Sequence, residues 1–306
     1  MPPTQNPDMK TRNPHIRKTL RILGKILGML MLAAIAAFWV PYIVRALFCD
    51  QFVVPSESML PTLAPGDRIL VNKLIVGARI YKKFDFSEGA ALHSFRLPGF
   101  RKVRVNDIVV FNVPQGYDRD KIEFRINYVY AKRCIGTPGD SVSIRNGRFR
   151  NNHWSGPIGD TVQQQVLARM PDSLFSPYVL RSMPFDDSLF GWTIKNMGPL
   201  HVPRAGDSIP LDLRHFKLYR QVIEYETGKA LSFEKEARLD GTPINGYTFR
   251  KNYYFFCGDN APDSKDSRYW GFAPEEFIIG VVKRISYSQD PATAQRRPDR
   301  TWKKVQ

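Results

Sequence analysis

The chain has 306 residues, enough for one large domain or two smaller ones, and 43% of them are apolar. This apolar content is ordinary for a globular core and excludes disorder of the whole chain. A formal net charge of +16 would suit a nucleic-acid-binding protein. Between the two ends of the chain, however, the positive charges are scattered, so we expect no nucleic-acid partner.

The basic residues concentrate at the two ends. The first 48 residues hold seven lysines and arginines against Asp8, and the residues from Lys283 onward hold seven against Asp290 and Asp299. Basic segments that flank a membrane segment are attracted to anionic lipid. We therefore expect the lipid bilayer to be their partner.

Residues 26–44 form an apolar run of 19 residues without a charge. As a helix it would span roughly 30 Å, the thickness of the hydrocarbon layer. Six basic residues precede the run and only Arg45 follows closely. The positive-inside rule therefore predicts a cytoplasmic basic tail over residues 1–25 and a transmembrane anchor over residues 26–48, with the rest of the chain on the far side.

Two alternatives to this anchor are weaker. A cleavable signal peptide has a shorter apolar core, although Ala34-Ile35-Ala36 resembles a cleavage site. A lipoprotein cysteine at Cys49 would follow a small residue, whereas bulky Phe48 stands there. The sequence has no second run of this length, which predicts a single crossing.

The three cysteines form neither a disulfide framework nor a metal-binding pattern. A bridge between Cys134 and Cys257 remains an alternative to free thiols, because both lie in predicted strands. The five histidines are scattered and show no helical ligand spacing. We therefore expect no metal and no cofactor.

After residue 50, short β-branched and aromatic runs are separated by Gly, Pro, Asn and Asp. This pattern predicts a mainly β, partly antiparallel domain. Asn146-Gly147 predicts a hairpin, because both residues tolerate positive φ. Residues 163–170 are the one short helix candidate beyond the apolar run.

The domain boundaries follow from composition. Residues 149–245 are rich in Pro, Asp and Arg and lack chemical motifs, which we interpret as a smaller β-rich lobe inserted into the main domain. The main domain then comprises residues 49–148 and 246–290. A set of long loops in one domain is the alternative. Residues 291–306 are expected to form a flexible basic tail.

Two serines, Ser56 and Ser58, lie between Pro55 and Pro61, whose fixed φ angles stiffen a turn. In an extended backbone both hydroxyls point the same way. One could then act as a nucleophile and the other as a donor to a developing oxyanion. A serine nucleophile needs a neighbouring base. A turn without chemistry is the alternative.

Lys132 is the candidate base, in the apolar, strand-like run 128–135. A lysine is basic only when neutral, and burial lowers its pKa from the ordinary value of about 10.4. Successive strand residues face opposite sides, so Lys132 and Arg133 cannot both face the core. Because arginine stays charged, Lys132 is the better inward candidate. An exposed lysine is the alternative.

A polar loop over residues 258–271 follows an apolar strand. Side-chain hydrogen bonds would hold such a loop in a fixed shape, and Asp266 and Arg268 could pair their charges. A rigid turn without chemistry is again the alternative.

Together, the Ser56–Ser58 segment, the block 132–140 and the loop 258–271 resemble type I signal peptidases, the bacterial leader peptidases that remove signal peptides from exported proteins. The resemblance extends to the anchor and to residues 66–73 and 107–111. It implies the family's antiparallel β catalytic fold. Residues 198–203 look like Bacteroidetes members of the family.

The resemblance implies a role for each site residue. Ser58 matches the nucleophile and Lys132 the general base. Ser56 matches the residue whose hydroxyl joins the Ser58 backbone N–H in the oxyanion hole. Ser264 matches the serine that orients the lysine.

The same resemblance implies that Asp266 and Arg268 form a structural charge pair. The chain departs from the family at two places. Glu57 stands where a small residue is common, and its carboxylate either perturbs the site or faces solvent. Ala261-Pro262 replaces the commoner Arg-Asp, which should alter loop shape rather than chemistry.

The implied activity is that of a membrane-bound serine endopeptidase that cleaves exported preproteins through a Ser-Lys dyad. The implied location is the bacterial inner membrane, with the N-terminus in the cytoplasm and the catalytic domain on the periplasmic side. Apolar residues would form either a surface that dips into lipid or ordinary core: Phe84, Phe86, Leu92, Phe95, Leu97 and Phe100.

Two other functions fit parts of this pattern. A non-catalytic, membrane-anchored β protein could bind exported chains, but it would have no reason to retain Ser58, Lys132 and Ser264 together. A self-cleaving Ser-Lys repressor fits the dyad but not the anchor.

Overall fold

The computed structural model describes residues 14–85, 87, 92–116, 120–186 and 188–305. The chain divides into two compact units, Met1–Ala46 and Leu47–Gln306. Within the first unit the described residues belong to one helix, α1 (Pro14–Leu47). Its section Lys18–Leu47 is 30 residues long and contains an 18-residue stretch with a mean hydropathy of 2.2, so it is long and apolar enough to cross a membrane. The helix begins well before the apolar run from which the sequence predicted it.

The described residues of the second unit form seventeen strands: β1 (Cys49–Val53), β2 (Asp67–Asn72), β3 (Arg79–Tyr81), β4 (Ser94–Arg96), β5 (Ile108–Asn112), β6 (Val129–Gly136), β7 (Ser141–Arg145), β8 (Arg148–Asn151), β9 (Met197–His201), β10 (Ser208–Pro210), β11 (Leu231–Phe233), β12 (Ala237–Leu239), β13 (Thr242–Pro243), β14 (Gly246–Thr248), β15 (Tyr253–Cys257), β16 (Ala273–Pro274) and β17 (Ile278–Ser288). The same residues form four α-helices and two 3₁₀ turns: α2 (Thr161–Arg169), α3 (Pro177–Leu180), α4 (Leu213–Thr227), α5 (Ser267–Trp270), Asp172–Leu174 and Glu275–Phe277.

A seven-stranded antiparallel sheet in the order β1-β2-β17-β5-β6-β15-β16 forms the centre of this unit. Every residue of β5 and β15 is buried, so the middle of the sheet is covered on both faces. Strand β6 lies between these two strands and carries Lys132 opposite Val109. The prediction of a mainly β, antiparallel domain is confirmed.

The hairpin predicted at Asn146-Gly147 joins β7 to β8, where Arg145 lies opposite Arg148. Both turn residues have positive φ, 49° for Asn146 and 72° for Gly147. Two such residues give the turn a twist that matches that of the flanking strands. The local sequence signal was therefore sufficient here.

Residues 149–245 contain more helix than the sequence indicated. The short helix candidate corresponds to α2, whose first turn is capped by Asp160. Helix α4 was not predicted, although Asp212 caps its start and Gly228 ends it with φ of 68°. Its buried face belongs to the same apolar cluster as residues of β6, β7 and β15. The inserted residues thus share a core with the strands on either side of them.

The expectation of a flexible C-terminal tail was wrong for the described residues 291–305. The backbone N–H of Ile285 in β17 donates to the carbonyl of Lys303, and that of Val305 donates to the carbonyl of Lys283. Val305 is only 9% exposed. Backbone pairing and apolar burial therefore hold this segment against the domain.

The apolar residues considered for a lipid-facing surface are divided. Phe84, Phe95, Leu97 and Phe100 are exposed, whereas Leu92 packs against the main apolar cluster. Phe86 lies outside the described residues.

Candidate active site

The loop between β1 and β2 carries the two serines. Ser56 is exposed and Ser58 is half-buried, and their Oγ atoms lie 3.3 Å apart. Met59 and Leu63, the next apolar residues of the loop, are almost fully buried in a cluster with residues of β2 and β5. Apolar burial therefore anchors the loop while the hydroxyls stay at its surface.

Lys132 is buried in β6, with 3% of its surface exposed. Its Nζ donates to Ser58 Oγ at 2.5 Å and to Ser264 Oγ at 3.0 Å. Burial lowers the pKa of Lys132 to about 8, against the opposing field of the Asp266 carboxylate and with a smaller contribution from the Arg268 charge. Such an amine is neutral in about a tenth of the molecules at pH 7 and in about half at pH 8, and the neutral form can accept a proton from the serine.

The sequence predicted that Lys132 and Arg133 cannot both face the core, yet both side chains are buried. Arg133 is 5% exposed, because its guanidinium is paired with Asp259 through Nε and Nη2, each at 2.6 Å. A bidentate carboxylate partner compensates the buried charge. Both faces of β6 are covered at this position, which the alternating pattern of one strand does not reveal.

Asp259 is a residue that the sequence analysis did not single out. Besides holding Arg133, it accepts a hydrogen bond of 2.5 Å from Thr62 Oγ1. Thr62 belongs to the loop that carries Ser58, and Arg133 is the neighbour of Lys132. One carboxylate thus connects the serine loop to the lysine strand. Its position in the polar loop of residues 258–271 was the available signal.

The charge pair expected between Asp266 and Arg268 is present and fully buried. Arg268 Nε and Nη2 each donate to the Asp266 carboxylate at 2.8 Å. Arg268 also donates to the carbonyls of Ala261 and Ser264, and Asp266 accepts from the N–H of Gly258. The pair therefore fixes the loop on both sides of Ser264.

Burial alone would raise the pKa of Asp266, but the charge and hydrogen bonds of Arg268 outweigh it and hold the pKa below its ordinary value. Asp266 is therefore an anion inside the domain. It stabilises the charged form of Lys132, while burial has the larger and opposite effect.

Gly258 is required by the close approach of two site segments. A Cβ at this position would lie 2.2 Å from Ser264 Oγ and 2.3 Å from the carbonyl oxygen of Ser58. No side chain fits there without displacing one of the two serines. The sequence contains this glycine in the polar loop but gives no sign of the contact.

The two departures from the family pattern leave the hydroxyl–amine contacts intact. Glu57 is exposed, and its backbone carbonyl accepts a hydrogen bond from Asn260 Nδ2 at 3.2 Å. Ala261 is buried and offers its carbonyl to Arg268. Of the two interpretations of Glu57, the structure favours the solvent-facing side chain.

All three cysteines lie in the described part of the chain and are free thiols. Cys134 lies opposite Phe256, and Cys257 lies opposite Arg133, so the two are offset along neighbouring strands. The alternative of a Cys134–Cys257 bridge was therefore wrong. Burial raises the pKa of both thiols well above its ordinary value.

A cleft of about 360 Å³ opens beside Ser58 and Lys132. Its walls are largely aliphatic, and Asp263 and Lys265 border it on one side. The apolar and aromatic lining residues are Phe52, Val53, Val54, Pro55, Met59, Ile69, Val110, Val129, Tyr130 and Ala131. The arrangement can therefore bind small apolar side chains beside a serine that is hydrogen-bonded to a buried amine.

Residues 24–287 match the family described as signal peptidase, peptidase S26. The chain belongs to the peptidase S26 signal peptidase family. It is 29% identical over 245 residues to signal peptidase I of Buchnera aphidicola subsp. Baizongia pistaciae. The aligned region covers 79% of this chain and 70% of that relative. Signal peptidase I of Pseudomonas aeruginosa is 27% identical over 248 residues, covering 78% of this chain and 64% of the relative.

A solved signal peptidase I from Enterococcus faecalis V583 is 19% identical, with 59% of this chain and 96% of that chain covered. The TM-score of this match is 0.28. Membership of the S26 family rests on the sequence match, and it makes this signal peptidase a hydrolase.

Proposed function

We propose that this signal peptidase is a membrane-bound serine endopeptidase that removes signal peptides from exported preproteins with a Ser58–Lys132 dyad. The observation that carries the proposal is the 2.5 Å hydrogen bond from a 3% exposed lysine amine to the Ser58 hydroxyl. A lysine can act as a base only when its amine is neutral, and burial favours the neutral amine. A buried lysine within hydrogen-bond distance of a serine therefore meets both requirements.

The reaction is an acyl transfer in two halves. Neutral Lys132 accepts the Ser58 proton as Oγ bonds to the carbonyl carbon at the end of the signal peptide. The Ser56 hydroxyl and the Ser58 N–H donate to the oxyanion. When the peptide bond breaks, the lysine returns the proton to the leaving amine and the acyl group remains on Ser58.

In the second half, neutral Lys132 accepts a proton from water as the water oxygen attacks the acyl carbon. The Ser58 oxygen then leaves and takes the proton back, which regenerates both groups. Ser264 Oγ, at 3.0 Å from the amine, holds the lysine in place through both halves. Asp266 and Arg268 act through the loop that presents Ser264.

Helix α1 supplies the membrane attachment in this proposal. Its basic N-terminal flank favours the cytoplasmic side, which carries the domain after it to the periplasmic side of the inner membrane. The side chains of Phe84 and Phe100 suit insertion into the lipid interface, because each is at least 80% exposed. The small aliphatic cleft suits small residues at the first and third positions before the cut.

The decisive experiment incubates the purified full-length protein in detergent with an exported precursor and sequences the new N-terminus of the product. We expect cleavage directly after the signal peptide, and complete loss of cleavage in Ser58→Ala and in Lys132→Ala. Circular dichroism should show both variants folded. Matched controls are Ser208→Ala and Lys229→Ala, at exposed positions away from the serine and the amine. Full activity in either dyad variant would refute the role of that residue.

A further inference from the structure

A groove of about 750 Å³ lies beside the catalytic cleft. It is lined by Gln115 and Asp120, by residues 178–185 of the inserted region, by residues 216–221 of α4, and by residues 262–270 of the polar loop. Tyr178 is 88% exposed in it, and Val179 and Phe185 are exposed as well. The volume is in the range of sites that bind small molecules or short peptide segments.

The groove and the cleft adjoin at the polar loop. Asp263 and Lys265 line both of them, and both side chains are exposed. Between them lies buried Ser264, which accepts the hydrogen bond from Lys132 Nζ. The cleft beside Ser58 and the groove therefore meet at Asp263 and Lys265.

The two depressions differ in size and in lining. The cleft is small and largely aliphatic, with Phe52 and Tyr130 as its aromatic residues, which fits the small residues before a cut. The groove is about twice as large and carries more aromatic side chains, among them Tyr178, Phe185 and Phe216. Two of its cations have carboxylate partners, since Lys217 pairs with Asp186 and Arg220 with Asp120. The aromatic and aliphatic side chains of the groove can therefore contact an apolar side chain of a bound peptide.

We propose that this groove binds the substrate segment that follows the scissile bond, as an extended peptide with an aromatic or large aliphatic side chain. The inference rests on the proposed function, because a chain cut at Ser58 must continue on both sides of it. It assigns the inserted region a role in substrate selection. Each buried apolar side chain of this size is sufficient for about a tenfold gain in binding.

The test uses two substrates that are identical up to the cut. One ends two residues after it, and the other continues for about ten residues that include a phenylalanine. For the wild-type protein we expect the long substrate to have a KM about tenfold lower. The double variant Tyr178→Ala/Val179→Ala should reduce this ratio to near one. Leu174→Ala is the control, because Leu174 is 66% exposed in the same region but does not line the groove.

The outcomes separate this inference from the proposed function. If neither substrate is cut, the proposed function fails. If both are cut with equal KM by the wild-type protein, or if the double variant keeps the full advantage of the long substrate, the groove assignment is wrong. Loss of the advantage in Leu174→Ala as well would also overturn it, since the effect would then not belong to the groove.

Discussion

The guanidinium of Arg300 donates to both carboxylate oxygens of Asp67, from Nε at 3.1 Å and from Nη2 at 2.6 Å. Nη2 also donates to the carbonyl of Thr62 at 3.0 Å, and Asp67 accepts from the N–H of Ala64. These contacts hold the loop that carries Ser58 from its C-terminal side. Arg300 lies beyond the residues that match the family, so this support belongs to the chain's own C-terminal segment.

Arg300→Ala should destabilise the protein by about 3 kcal/mol, because it leaves the fully buried Asp67 carboxylate without its charged partner. Urea unfolding of the full chain in detergent measures this. We also expect kcat to fall about tenfold with KM within twofold, because the serine loop loses its support. Arg300→Lys should restore part of kcat. The control is Arg296→Ala, an exposed arginine over the Tyr287 ring, which should leave both quantities unchanged.

The stability effect of Arg300→Ala should also depend on pH. Burial alone would raise the pKa of Asp67, but hydrogen bonds from Arg300, the Ala64 N–H and Ser288 hold it below its ordinary value. A carboxyl whose folded pKa is lowered contributes stability at neutral pH that is lost as the pH falls through that pKa. The difference between variant and wild type should therefore shrink below about pH 4. A difference that stays constant down to pH 3 would contradict this origin.

The pH dependence of catalysis should report Lys132. Because the base must be neutral and its pKa is lowered to about 8, kcat/KM should rise with pH and level off above about 8. A short peptide substrate, followed from pH 6 to 10, avoids changes in membrane binding. A rise in kcat/KM only near the ordinary lysine pKa of about 10.4 would show that the Lys132 amine is not buried away from water.

The burial of Lys132 should also cost stability, which a variant can recover. Between about pH 8 and 10.5 the unfolded lysine binds a proton that the folded one does not, so wild-type stability rises with pH in this window. Lys132→Met should be more stable than wild type at pH 7. Because each unit of the pKa difference corresponds to about 1.4 kcal/mol, the gain in unfolding free energy should be at most about 3 kcal/mol. The difference in unfolding free energy between Lys132→Met and the wild type should become smaller toward pH 10. A difference that does not change with pH would mean that it arises from packing and not from the lysine charge.

The sequence was informative where a local signal decides the structure. The Asn146-Gly147 turn, strand β6 and the apolar helix all follow from short-range patterns. Helix α4 was missed because its aromatic and β-branched residues resemble strand composition, and its buried face becomes apparent only against the core. The packing of the C-terminal segment against the domain was missed for a similar reason, since the Asp67 partner of Arg300 lies more than 200 residues away.

The site was predictable in part. The resemblance supplied Ser58, Lys132 and Ser264, and the structure brings these three side chains together. The support by Asp259 and Gly258 depends on how separate segments meet, which no single stretch of sequence encodes. Arg133 shows the limit most directly, because its burial depends on a carboxylate more than a hundred residues away.

Gly258→Ala should abolish most of the activity. The added Cβ would lie 2.2 Å from Ser264 Oγ and 2.3 Å from the Ser58 carbonyl oxygen, so at least one serine must move away from the amine. We expect kcat to fall by a factor of 100 or more, measured on the same short peptide. The control is Gly156→Ala, where the nearest atom would be Trp154 Nε1 at 3.1 Å, on a half-exposed side chain. A Gly258→Ala enzyme with near wild-type kcat would contradict the close approach.

The Arg133–Asp259 pair should stabilise the fold mainly through its two opposite charges. Asp259→Asn keeps the shape of the side chain but leaves the buried Arg133 charge uncompensated, which should cost about 3–5 kcal/mol of unfolding free energy. Thr62→Val removes only one hydrogen bond to the same carboxylate and should cost about 1 kcal/mol. The double variant Arg133→Met/Asp259→Leu removes both charges and should recover much of the stability lost in Asp259→Asn. Equal losses in Asp259→Asn and Thr62→Val would show that the charge pair contributes little beyond its hydrogen bonds.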